Sequence, residues 1–77
     1  MLFLIEYNRE KGEIASMRKF SDSEKSEAEL ARLQLELDRQ RVGIKSEIVI
    51  LDAIDEPSIR RTHRRYFESL EELAKAS

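Results

Sequence analysis

Seventy-seven residues give room for one domain, and a chain of that size buries only about 60% of its unfolded surface, so it has little stability to spare. With 40% hydrophobic and 39% charged residues it is too apolar for disorder, and a net charge of −2 excludes a molecule-wide field that draws in nucleic acid. The absence of cysteine excludes a disulfide framework and a thiolate metal site, and points to a reducing compartment.

The run Leu2 to Tyr7 is mostly apolar, with Phe3, Ile5 and Tyr7 on one side and Leu2 and Leu4 on the other, as in a central strand buried on both faces. It has no basic leader, long apolar stretch or cleavage site, and no segment approaches membrane-spanning length, so a cytoplasmic protein without membrane contact is expected. Asn8 to Gly12 reads as a hairpin loop with Gly12 in a left-handed position. The second strand, Glu13 to Phe20, is expected at an edge because it carries Arg18 and Lys19. Straight alternation places its Ile14 and Phe20 on one side and Ala15 and Met17 on the other.

Ser21 and Glu24 have capping-box spacing ahead of a helix to about Arg41, which Gly43 stops. This first helix carries two apolar stripes: Ala28, Ala31, Leu35 and Val42, and, nearly opposite, Leu30, Leu33 and Leu37. Ile44 to Ala53 contains Ile48, Val49 and Ile50 and reads as a third, buried strand. Asp55 caps a second helix that has Pro57 in its first turn and runs to about Lys75. The expected fold is a single α+β domain spanning residues 1–77, of order β-β-α-β-α. Its three-stranded mixed sheet has order 2-1-3, the outer strands running parallel across an antiparallel middle strand, and packs with two helices.

Both faces of the sheet, both stripes of the first helix and one stripe of the second make five apolar faces, which cannot all be paired within one chain. Helices on one side of the sheet leave the other side open; helices on opposite sides leave Leu30, Leu33 and Leu37 open. A homodimer covering either patch is expected, the alternative being a second helix tucked against the leucines.

The second helix sets Ile59, Thr62, Tyr66, Phe67, Leu70, Leu73 and Ala74 on its apolar side. Arg60, Arg61, Arg64 and Arg65 fall in its first half and Glu68, Glu71 and Glu72 in its second, against the helix dipole. Guanidiniums at a helix start suit an anion, an acidic protein or an RNA backbone; the blander reading, which the sequence favours, is a solvated face neutralised by Asp52, Asp55, Glu56 and Glu68. His63, the single histidine, falls at the margin of the apolar side near Tyr66. It reads as a partly buried structural residue, although the pair would be the centre of any site on this helix. No spacing fixes His63 with Asp52, Asp55 and Glu56 as metal ligands. No nucleophile elbow, phosphate loop or carboxylate pair is present, so neither catalytic residues, a metal nor a cofactor is expected.

The stretches LIEYNREKGEI and RRTHRRYF resemble a group of short uncharacterised bacterial proteins of similar length. The resemblance spans nearly the whole chain and implies a bacterial, free-standing protein. It brings no activity or ligand, and singles out Arg60, Arg61, Thr62, His63, Tyr66 and Phe67. The expected function is a non-enzymatic, self-associating interaction module that presents the Arg60 to Arg65 surface to an acidic partner; the alternative is an RNA- or nucleotide-binding domain.

Overall fold

The computed structural model describes residues 1–67. The first strand, β1 (Leu2–Asn8), turns through Asn8 to Gly12 into β2 (Glu13–Phe20). The Asn8 carbonyl accepts from Gly12 N–H at 2.8 Å and its side chain from Lys11 N–H at 3.0 Å. Gly12 has φ 66°, which a residue with a Cβ adopts only under strain. A one-turn 3-10 segment (Asp22–Glu24) leads into α1 (Lys25–Val42), followed by β3 (Glu47–Asp52), α2 (Glu56–Thr62) and α3 (Arg64–Phe67). The sheet order is β2-β1-β3 as expected, and because both pairings with the middle strand are antiparallel the sheet is antiparallel throughout rather than mixed.

The capping residues act on the 3-10 turn: Ser21 N–H donates to the Glu24 carboxylate at 2.8 Å, which holds that carboxyl below its ordinary pKa. At its other end α1 stops in paired bonds, Gly43 N–H to the Gln40 carbonyl at 3.2 Å and Ile44 N–H to the Arg39 carbonyl at 2.9 Å. Gly43 has φ 75°, and a Cβ there would meet no atom within 4 Å. Gly43→Ala should therefore cost only the left-handed backbone strain, about 1 kcal/mol, read as a shift in urea midpoint with unchanged slope.

Pleating sends Phe3, Ile5 and Tyr7 to one face of the sheet, where they pack with Ile59 and Tyr66, and Leu2 and Leu4 to the other, where they pack with Phe20 and Ala28. α1 thus covers one face, and α2 and α3 cover the opposite one. Ala28 is fully buried, and its small side chain lets α1 approach the sheet closely.

The strands and the end of α1 depart from expectation in three respects. The register of β2 shifts beside Glu6 and Tyr7, which pair with Ser16 and Ile14, so Ala15 is an extra bulged residue. Beyond the bulge alternation is reset: Ile14 shares the Tyr66 side with Met17, and Phe20 lies on the other. β3 is not a buried strand. It forms the second edge of the sheet, and Ile48, Val49, Ile50 and Leu51 are half-buried. Val42 is exposed at the last turn of α1 rather than packed on the sheet.

The second helix is also interrupted. The backbone leaves the helical region at His63, with φ −125° and ψ 52°. The Thr62 hydroxyl bonds the Ser58 carbonyl at 3.0 Å and the His63 Nδ1 at 2.9 Å, side-chain bonds that compete with helix continuation. Past the break, Arg65 and Tyr66 are both bonded to Glu47 at the start of β3, which ties the redirected turn to the sheet. The expected continuation to Lys75, with Leu70, Leu73 and Ala74, lies outside the described residues. Among the described residues no helix is long and apolar enough to cross a membrane.

Candidate interaction surfaces

Asp55 caps α2 by accepting from Ser58 N–H at 2.9 Å, and that bond draws its carboxyl below the ordinary range. Glu56 occupies the first turn, and Arg60 and Arg61 the last. Along α2 acid therefore stands at the N-terminal end and base at the C-terminal end, as the dipole favours, while Arg64 and Arg65 open α3 and the rest of the expected reversal, at Glu68, Glu71 and Glu72, lies outside the described residues. Arg60 and Arg61 sit where the helix partial charge is negative, so the dipole does not assist them in holding a small anion.

Arginines of this stretch are engaged within the chain. Arg60 bonds Glu56 at 3.2 Å, and its guanidinium lies 4.8 Å from the centre of the Phe67 ring. Arg65 bonds Glu47 at 2.8 Å and the Tyr66 hydroxyl at 2.7 Å. Arg61 is exposed, with Asp55 as its electrostatic neighbour; Arg64 is exposed at the start of α3. Glu56 also meets Lys19 at 3.5 Å, which carries the charged surface onto the edge of β2.

Tyr66 is a core residue. Its ring meets Tyr7 edge-on at 5.1 Å, its hydroxyl donates to Glu47 at 3.0 Å, and burial raises its pKa. His63 is half-buried at the helix break, its ring centre 6.5 Å from that of Tyr66. These two expected residues are thus brought side by side, with Nδ1 of one bonded to Thr62 and the hydroxyl of the other to Glu47 and Arg65. No three His, Asp or Glu side chains among the described residues gather as a metal site.

The second surface is on α1. Ala28 and Ala31 pack against Leu2, Leu4, Phe20, Ile48 and Ile50, and Leu35 is half-buried on the same stripe. About 180° around the helix, Leu30, Leu33 and Leu37 are 56%, 50% and 50% exposed. Placing the helices on opposite sides of the sheet decides which apolar face is left over. The described part of the second helix does not tuck against these leucines, because it lies across the sheet from them.

No family model, curated protein or solved structure matches the chain.

A buried ion pair joins the middle strand to α1. Glu6, in the middle of β1, is only 3% exposed, and both its carboxylate oxygens accept from Arg39 of α1 in a two-pronged ion pair. Ser16 adds a 3.4 Å bond from the neighbouring strand. The Arg39 bonds hold the Glu6 carboxyl below its ordinary pKa against the opposing effect of burial. The signal was a lone acid within an otherwise apolar central strand; Arg39 looked like a charge complementing the helix end.

Proposed function

We propose that this chain is a small non-enzymatic interaction module that pairs with a second copy of itself through Leu30, Leu33 and Leu37 and presents Arg60, Arg61, Arg64 and Arg65 to an acidic partner. The observation that carries it is the stripe of three leucines, each exposed by half or more and aimed away from the sheet. Covering the exposed half of a leucine contributes about 1 kcal/mol, and six leucines meet when two copies pair. That sum is comparable with the lower estimates of about 4 kcal/mol for the entropy lost on association, so pairing is concentration-dependent.

The arginine surface supports the second half. Its aromatic rings are occupied, Phe67 under Arg60 and Tyr66 in the core, so it offers cations rather than a base-stacking platform. The internal pair of Arg60 with Glu56 lies at the surface and exchanges readily for a carboxylate of another protein, while Arg65 keeps its bond to the more buried Glu47 and adds its charge to the surface.

Solution mass by light scattering over a wide concentration range tests the first half; it should rise from one to two chains, and a constant single-chain mass would remove it. Titration with a polyglutamate peptide tests the second. Binding should weaken with salt and be lost in an Arg60→Ala, Arg61→Ala, Arg64→Ala variant, and absence of binding at low salt would remove the acidic-partner role.

A further inference from the structure

We infer that two copies of α1 pair antiparallel about a two-fold axis level with Leu35, Leu33 seating on Leu37 of the other copy and Glu27 meeting Arg41, an arrangement that presupposes the self-association proposed above. Leu30, Leu33 and Leu37 follow one another at intervals of three and four residues, the spacing of a seam between two paired helices. One flank of that seam is formed by Glu27, Gln34 and Arg41 at seven-residue intervals, all three exposed. Read along the helix, this flank runs acid, neutral, base.

Antiparallel pairing sets the same flank of each copy against itself, end for end. Glu27 then meets Arg41 twice and Gln34 meets Gln34, so the edge is complementary to its own two-fold image. The same register stacks Leu33 on Leu37 on both sides of the axis and lays Leu30 over the aliphatic stem of Gln40. On the other flank, Arg32 reaches Glu29 at 2.7 Å and Glu36 at 3.8 Å within the chain, which moderates the acids there. Among the described residues Arg41 has a 4.0 Å contact with Asp38 and is well exposed, available for an intermolecular bridge. Parallel pairing would instead set the acidic starts of both helices together, along with like ends of their dipoles.

Because the chain has no cysteine, engineered thiols report the register directly. Leu33→Cys and Leu37→Cys proteins should each stay uncrosslinked alone under mild oxidation and form a disulfide dimer when mixed. Crosslinking of either variant alone would mean parallel helices and overturn the register. A native dimer that gives no crosslink in the mixture would place the contact elsewhere, such as the open edge of β3, and overturn it too; in both cases self-association itself stands. A native chain that stays monomeric at every concentration would overturn both proposals. In a second measurement, Glu27→Arg or Arg41→Glu should each weaken pairing about fivefold, two rim bridges being lost at once, and the combined variant should recover it. No recovery would remove the edge contact and the proposal with it.

Discussion

Substituting methionine for Arg39 should lower the melting temperature by about 15 °C at neutral pH, because it strands the buried Glu6 carboxylate at a cost of about 3 kcal/mol. Methionine keeps the aliphatic stem and removes the cation, so lost packing contributes little. Glu6→Leu breaks the same pair and should cost much less. Its apolar side chain suits the interior face of β1, and Arg39, whose side chain is 34% exposed, can turn to solvent. Equal losses for the two variants would show that Glu6 is better hydrated than its position indicates.

Acid titration adds a signed readout of the same pair. In the native protein the folded-state pKa of Glu6 lies below its ordinary value of 4.5, so the pair's contribution is complete above that value and is lost as pH falls through the folded pKa. Without Arg39, burial is the largest influence left on Glu6, opposed by hydrogen bonds from Ser46 and Ser16; the variant is then penalised at neutral pH and relieved as the carboxyl takes up a proton. The gap between the two melting temperatures should therefore narrow between pH 7 and pH 4. A gap that stayed constant would mean the loss is not electrostatic.

The second large effect separates the two stripes of α1. Leu33→Glu should raise the dimer dissociation constant by at least about 100-fold, since a carboxylate without a partner would enter a dehydrated seam beside the two-fold axis. The monomer should keep its stability to within about 0.5 kcal/mol, because Leu33 is half exposed in it. Leu35→Glu, two residues away on the sheet side, should instead destabilise each chain by about 2 kcal/mol or more and lower the circular-dichroism melting temperature. A dimer whose mass is indifferent to Leu33→Glu would move the interface off this stripe.

Several parts of the architecture were legible because they depend on neighbours in the chain. The doubly apolar run of β1 marked the middle of the sheet, and the order β2-β1-β3 followed from it. Gly12 and Gly43 marked the two left-handed positions. Asp55 with Pro57 marked the start of α2. Other features had no local signal of that kind. The bulge at Ala15 adds one residue to a strand whose apolar pattern was already weak, and it moves Phe20 to the opposite face from Ile14. The interruption at His63 is accompanied by Thr62 side-chain bonds and by Glu47 reaching Arg65 and Tyr66 from another element, none of which alters the apolar spacing, so helical periodicity ran straight through it. The charge pattern that suggested an anion site belonged to that uninterrupted helix, and α2 by itself has its charges in the usual order.

The amino-acid sequence alone determined that the first helix carries two apolar stripes and that the middle strand is apolar on both sides, since the spacing of leucines on a helix and of alternate residues on a strand is a property of the backbone. It could not determine which face remains open. Only the tertiary structure decided that, by placing α1 and α2 on opposite sides of the sheet. The choice lies in contacts between residues far apart in the chain, such as Glu6 with Arg39 and Tyr7 with Tyr66, whose energies depend on how the elements meet rather than on any one element's pattern.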